Sequence, residues 1–134
     1  MRKLSVLFAA LIITAAAQAQ NADRYGRVVM QALGSEFTLE KVLSSTPDKY
    51  QVLASCEYMS EYSIKSLVQR RVIDRYGDVE VIMPWTREHS DNGDFIVTML
   101  ITDDLEYIIA ISYMYGTPRG YLQVLVSRSD ERQQ

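Results

Sequence analysis

The hydrophobic pattern of this chain changes its period near Gly77, and this change constrains the fold more than any other feature. Before it, apolar residues between 61 and 76 recur every three or four positions, which is the spacing of one helical face. After it, the pattern predicts strands at Val79–Trp85, Phe95–Thr102, Leu105–Tyr115 and Tyr121–Arg128, which alternate apolar and polar side chains. The sequence therefore predicts a helix followed by an antiparallel β-meander over about residues 79–128.

The helix predicted over about residues 61–76 has suitable residues at both ends. Ser60 and Ser63 can supply an N-cap oxygen, and Gly77 can adopt the left-handed conformation that closes a helix. The apolar stripe of this helix and the apolar face of the meander both need cover. We therefore predict an α+β fold in two layers, with N-terminal helices packed on a four-stranded sheet.

The signals between residues 22 and 58 conflict. Thr46-Pro47 is typical of an N-cap followed by the first helical residue, which favours a helix from Pro47 to about Met59. Alternating apolar residues from Tyr50 to Tyr58 instead indicate a strand, and we prefer the helix. Leu39, Val42 and Leu43 have the spacing of one or two helical turns within residues 35–45.

The apolar faces of the predicted strands suggest a register. Ile101 placed opposite Tyr107 also aligns Phe95 with Tyr113, and a type I turn at residues 117–120 places Tyr115 opposite Leu122. This register leaves several apolar residues on the second face of the sheet, namely Ile96, Leu100, Ile108 and Met114. We expect either residues 22–45 or a partner to cover that face.

The first 19 residues have the features of a secretory signal peptide. Arg2 and Lys3 precede an apolar run too short to span a bilayer, and Ala17-Gln18-Ala19 is typical of a cleavage site. This predicts one mature domain over residues 20–134, exported and soluble, with 12 basic and 17 acidic residues and a charge of about −5. With Cys56 as the single cysteine, the chain can form no internal disulfide.

Several classes of function are disfavoured by the sequence. It contains no dinucleotide-binding glycine motif, Walker lysine loop, nucleophile elbow or paired metal-binding cysteines, so we predict no cofactor and no metal site. Asp91, Asn92 and Asp94 lack the spacing of a calcium loop. Three arginines in an acidic chain, Arg70, Arg71 and Arg75, do not indicate nucleic-acid binding.

One loop offers a candidate site. His89 lies within Arg87–Asp94, and alternate connections of a meander fall at the same end of the sheet, so this loop should adjoin residues 117–120. We therefore expect a ligand site built from Tyr115, Arg119, Tyr121 and His89. A histidine beside Asp91 or Asp94, with Arg119 holding an anionic group, could also serve as a general base. Ordinary turn chemistry is the simpler explanation of the same polar residues, and we prefer it.

Three functions follow from these patterns. The first is a non-enzymatic domain that binds a protein, a peptide or a small ligand through the second sheet face or the tyrosine-rich loop end. The second is a small hydrolase or isomerase that uses His89 with Asp91 or Asp94 and Arg119. The third is a structural or assembly subunit, completed by its own copy or another chain through strand addition at a sheet edge.

Overall fold

A computed structural model describes residues 21–75, 77–116 and 118–129, and these residues form the predicted α+β arrangement. In chain order the elements are α1 (Ala22–Leu33), β1 (Thr38–Ser45), β2 (Lys49–Glu57), α2 (Glu61–Val68) with a π-helical extension (Gln69–Asp74), β3 (Val79–Ser90), β4 (Gly93–Thr102), β5 (Tyr107–Met114) and β6 (Arg119–Arg128). Within the described residues, each helix is too short or too polar to cross a membrane.

The sheet is antiparallel and has six strands, in the order β1-β2-β6-β5-β4-β3, and not the four that the sequence predicts, because residues 38–57 add β1 and β2. The predicted meander is present as β3 to β6, and β2 pairs with β6, which places the early part of the chain beside its end. Alternate residues of every strand point to the helices, and we call this side the inner face. Its buried residues include Val52, Ala54, Ile96, Leu100, Ile109, Ile111, Leu122 and Val124.

The helices expected over residues 35–45 and 47–59 are wrong, because β1 and β2 occupy these residues. The alternation from Tyr50 to Cys56 decides the structure, since those alternate side chains are buried on the inner face. Thr46-Pro47 belongs to the connecting turn, where the hydroxyl of Thr46 accepts a hydrogen bond from the backbone N–H of Lys49 at 3.0 Å. A threonine before proline here starts a turn and not a helix.

The main helix is present and begins where the sequence predicts. Ser60 Oγ accepts a hydrogen bond from the N–H of Ser63 at 3.1 Å, which caps α2. After Val68 the helix widens into a π-helix, in which residues five apart lie above one another, and Gln69 Nε2 donates to Asp74 Oδ1 at 2.9 Å. Tyr76 lies outside the described residues, and Gly77 has the expected left-handed φ of 78°.

The predicted register of β4 against β5 is wrong by one residue. Ile101 pairs with Ile108 and not with Tyr107, because the connection over residues 103–106 is one residue longer than the predicted register allows, and Leu105 within it adopts a left-handed φ of 64°. A slip of one residue exchanges the two faces of a strand. Ile96 and Leu100 therefore lie on the buried inner face and not on the second face.

The predicted register of β5 against β6 is wrong by two residues. Leu122 pairs with Tyr113 and not with Tyr115, because the connection between the paired residues Met114 and Tyr121 is longer than a four-residue turn. A shift of two keeps every side chain on its predicted face. Thr117, the first residue of the predicted turn, lies outside the described residues.

β3 is longer than predicted and forms an edge of the sheet. It runs to Ser90, so Arg87 and His89 belong to a strand, and the connection to β4 is a tight hairpin turn at Asp91-Asn92. Both edge strands are irregular, since β1 and β3 each contain two register shifts and β3 also contains Pro84. Bulges and proline in edge strands oppose the addition of a further strand.

The helices cover the inner face and are tied to one another. α1 packs across β2 and β6, and Gly26 gives the Tyr50 ring room against the helix backbone. The guanidinium of Arg71, in the π-helical turn, donates to both carboxylate oxygens of Glu36 at 2.7 and 2.9 Å, and also to the backbone oxygen of Leu33 at 2.7 Å. This fork holds the end of α1 against the π-helix.

The other side of the sheet, which we call the outer face, is not covered by any element among the described residues. Residues 22–45, which we expected as one source of cover, form α1 on the inner face and the edge strand β1. The outer face is nevertheless rich in apolar side chains: Leu53, Met83, Phe95, Val97, Met99, Ile101, Ile108, Ala110, Met114 and Leu125. The apolar second face is thus present, but of the four residues predicted for it only Ile108 and Met114 lie there, and residues 22–45 do not cover it.

Candidate binding site

The two connections that the sequence places together do meet at one end of the sheet. The β3–β4 turn and the segment between β5 and β6 line a common depression of about 370 Å³, which we call the loop-end depression. Its lining includes Asn92, Gly93 and Asp94 from one connection and Tyr115, Gly116, Pro118, Arg119 and Tyr121 from the other. Three of the four predicted ligand residues, Tyr115, Arg119 and Tyr121, thus share one cavity.

The β3–β4 turn is rigidly built. Gly93 adopts a φ of 124°, which only glycine reaches without strain. Ser90 Oγ donates to the backbone oxygen of Gly93 at 2.9 Å and accepts from the N–H of Asn92 at 3.3 Å. These bonds hold the backbone of the turn, including that of Asn92, at the rim of the depression.

His89 lies outside the cavity lining and contacts it through a carboxylate. Its Nδ1 is 2.6 Å from Asp94 Oδ1, in the pair that the hairpin register places side by side, while Asp91 lies in the turn. The side chains of His89 and Asp94 are 84% and 49% exposed. Water therefore surrounds this pair and competes for its hydrogen bonds.

Arg119 is directed towards β1 and β2, and not towards His89. Its Nη2 donates to Ser55 Oγ at 2.7 Å, and the buried Ser55 hydroxyl donates in turn to the carboxylate of Glu40. The guanidinium is thus partly neutralised by a carboxylate on the edge strand. Arg119 forms one wall of the loop-end depression without standing opposite the histidine.

Tyr115 is held from the helix side of the sheet. Arg87 donates to its hydroxyl and also to Glu61 Oε1 at 2.6 Å, which connects the end of β5 to the first turn of α2. The hydrogen bond to Tyr115, followed by the charge of Glu61, raises the pKa of Arg87 above its ordinary value. Tyr121 lies on the outer face and keeps 44% of its surface exposed.

A second depression, of about 330 Å³, adjoins the first on the outer face, and we call it the outer-face depression. Its lining combines apolar and uncharged polar side chains: Leu53, Ser90, Asn92, Phe95, Ser112, Met114, Tyr121 and Gln123. Asn92, Met114 and Tyr121 line both depressions, so the two form one continuous surface around the end of the sheet. No charged side chain is among the described residues of the outer-face lining.

The sequence reasoning missed most of the outer-face depression. Phe95 was assigned to the wrong face and Leu53 to a helix, and the two-residue register error between β5 and β6 concealed the pairing of Ser112 with Gln123. The alternation of side chains along β2 could have revealed Leu53, because residues two apart in a strand lie on the same side of the sheet and Leu53 is two residues from Ser55.

Comparison with known proteins adds no family to this geometry. No protein-family model matches the chain, and no curated protein is significantly similar to it. Among the described residues, no cluster of three or more His, Cys, Asp or Glu side chains is arranged to hold a metal ion. The chemistry of the site therefore has to be inferred from the side chains themselves.

Proposed function

We propose that this protein is a non-enzymatic binding protein for a small, uncharged, amphipathic ligand. The observation that carries the proposal is the continuity of the two depressions across Tyr121 on the uncovered side of the sheet. The outer-face depression, at about 330 Å³, lies at the lower end of the roughly 300–1,000 Å³ typical of small-molecule sites. The ligand is expected to be small for this reason.

The lining of the outer-face depression supports an uncharged ligand, since of the two depressions only the loop-end depression is lined by charged residues, Asp94 and Arg119. Phe95, Met114 and Leu53 offer apolar contact, while Asn92 and Gln123 offer uncharged hydrogen-bonding groups. A charged ligand would lose hydration in this depression without gaining an ion pair from its walls. Tyr121, with an apolar ring and a polar hydroxyl, suits a ligand that presents both kinds of surface.

The proposal can be tested with N-phenyl-1-naphthylamine, an uncharged fluorescent probe of apolar sites. We expect saturable binding to the purified protein, and we expect Ser112→Trp, which fills the depression, or Tyr121→Ala to weaken it at least tenfold. Tyr62→Ala is the matched control, because Tyr62 is 80% exposed on α2 and lines neither depression. Circular dichroism verifies that the variants remain folded.

Two results would contradict the proposal. One is the absence of saturable probe binding to the folded wild-type protein. The other is saturable binding that Ser112→Trp and Tyr121→Ala leave unchanged, since the probe would then occupy a different surface.

The hydrolase or isomerase alternative has one supporting observation, the His89–Asp94 pair at 2.6 Å. The geometry supports it less, because the pair is exposed to water and Arg119 is bonded to Ser55. Acid–base catalysis by such a pair gains most in a site that excludes water. If His89→Ala abolished a hydrolytic activity of the protein without changing its Tm, the alternative would be favoured.

The assembly alternative by strand addition is also supported less, because both sheet edges are bulged and β3 contains Pro84.

We further propose that the protein is exported and begins at Gln20 after cleavage of residues 1–19. The leader composition supports this proposal. Mass spectrometry of the protein from a bacterial periplasm or medium should give a chain of residues 20–134, and an uncleaved chain there would contradict it.

A further inference from the structure

We propose that a second copy of this chain docks on the outer face, so that two sheets pack face to face as a two-fold symmetric dimer. The inference concerns a different contact from the small-ligand proposal and is carried by different observations. These are the area of the uncovered apolar face and the placement of two opposite charges at its margins.

The uncovered face is large enough for a stable dimer. Five neighbouring strands, β2, β6, β5, β4 and β3, at about 4.8 Å spacing give a width of roughly 24 Å including side chains. The paired length of β5, eight residues, corresponds to about 27 Å. Each copy would then cover roughly 650 Å², or about 1,300 Å² in total, which lies within the range of specific interfaces.

The composition of this face is that of an interface centre. Apart from Arg119 at the start of β6, its middle strands present only uncharged residues, with Ala110 on β5 lying between Leu125 on β6 and Met99 on β4. Met83, Met99 and Met114 add flexible side chains that adapt to an opposing surface. Sheets that pack face to face bury this kind of apolar row between them.

The margins of the face carry a complementary pair of charges. The strand registers align Lys49, Ser127, Ile108, Ile101 and Glu80 in one row across the sheet, all on the outer side. Lys49 lies on β2 at one margin and Glu80 on β3 at the other. Neither side chain forms an ion pair or hydrogen bond with another described residue.

A two-fold axis that runs parallel to the strands and lies above β5 brings both charges opposite a partner of the other sign. It exchanges β2 with β3 and keeps each position along the strands, so Lys49 of one copy faces Glu80 of the second copy, and the reverse pair forms at the opposite margin. The symmetry thus gives two ion pairs from one row of residues. In this arrangement the second copy roofs the outer-face depression, and the loop-end depression remains at the margin as its entrance.

Reversing each of the two charges alone, and then both together, tests this arrangement. We expect the purified protein to be a dimer at micromolar concentration by light scattering and sedimentation equilibrium. Lys49→Glu and Glu80→Lys should each raise the dimer Kd at least tenfold, because each creates two like-charge contacts. The double variant Lys49→Glu with Glu80→Lys should restore the wild-type Kd. Arg24→Glu is the matched control, since it makes the same charge change on the exposed side of α1.

A strict monomer at 100 µM would overturn the proposal, and so would a dimer whose Kd neither single variant changes. Single variants that weaken the dimer without rescue by the double variant would overturn the two-fold alignment. Failure here is distinguishable from failure of the ligand proposal. If the protein is a monomer that binds the naphthylamine probe and Tyr121→Ala weakens this binding, the ligand proposal stands and the dimer proposal fails. If the double variant restores the dimer but the protein binds no probe, the dimer proposal stands and the ligand proposal fails.

Discussion

The ion pair between Glu36 and Arg71 makes the stability of this protein depend on pH. The hydrogen bonds from Arg71 are the main cause that lowers the pKa of Glu36 from its ordinary 4.5 to about 2. A carboxylate with a lowered pKa stabilises the fold above pH 4.5, and this contribution is lost as the pH falls from about 4.5 towards 2.

We therefore expect Glu36→Gln to destabilise the protein more at pH 6 than at pH 2.5, as measured by urea unfolding. The matched control is Glu57→Gln, an exposed glutamate for which the described residues provide no ion pair. An equal difference between wild type and Glu36→Gln at both pH values would show that Arg71 does not stabilise the charged form.

Tyr113 connects the sheet to the segment before α2 by two hydrogen bonds. Its hydroxyl donates to the backbone oxygen of Met59 at 3.0 Å and accepts from the N–H of Met59 at 3.1 Å. Burial raises the pKa of Tyr113 to about 12, so the neutral form is favoured in the fold and stability falls as the pH rises above 10.

Tyr113→Phe leaves both backbone groups of Met59 without this partner and should lower the free energy of unfolding by about 1–3 kcal/mol. Urea unfolding at pH 7 measures the effect. Tyr62→Phe, at an 80% exposed tyrosine, should change stability by less than about 0.5 kcal/mol. Equal effects at the two positions would contradict the structural account of Tyr113.

At the residue scale, the sequence predicted the neighbourhood of the site but not the contacts within it. Tyr115, Arg119 and Tyr121 do share a cavity, because a meander brings alternate connections to one end. The turn of Arg119 towards Ser55 depends on β2 lying beside β6, a pairing between residues that are far apart in the chain. Local patterns carry no information about such a pairing.

At the scale of elements, Gly26 shows packing overriding helix propensity. It lies within α1, where alanine is normally more stable than glycine by about 1 kcal/mol. A Cβ at this position would lie 1.9 Å from Cδ2 of the buried Tyr50 ring on β2. The helix can approach the sheet this closely only because the side chain is absent.

Gly26→Ala should therefore destabilise the protein by about 1–3 kcal/mol, in spite of the gain in helix propensity. Thermal unfolding measures the effect. Gln31→Ala, an exposed position of the same helix, is the control and should be neutral or slightly stabilising. An increase in Tm for Gly26→Ala would mean that Tyr50 moves aside at little cost.

The predictability of the elements follows from the strength of their periodicity. β4, β5 and β6 alternate clearly and were predicted, whereas β1 has exposed apolar residues on its inner side, Leu39 and Val42, and bulges that break its period. β2 alternates well, but the Thr46-Pro47 signal outweighed that alternation in our interpretation. Turn chemistry and helix capping use the same residues, so only pairing with β1 and β6 distinguishes them.

At the scale of the whole molecule, the sheet order divides the strands into a protected centre and two weak edges. α1 covers β2 and β6, while β1 and β3 form the irregular margins. Local opening should therefore be easiest at the margins.

We expect backbone amides of β6, β2 and β5 to exchange with deuterium most slowly and those of β1 and the β3 bulges most quickly. Hydrogen exchange with mass spectrometry measures this order directly. Slower exchange in β1 than in β6 would contradict the arrangement of the sheet, because each margin has partners on only one side.

The position of Cys56 also affects how the protein can be produced and followed. The thiol is 1% exposed on the inner face, and burial raises its pKa. Because the chain contains no other cysteine, the domain forms no internal disulfide and should fold alike in reducing and oxidising compartments. A thiol reagent added to the native protein should react only in molecules that have opened. The rate at which this one sulfur atom is labelled therefore reports how often the protein unfolds.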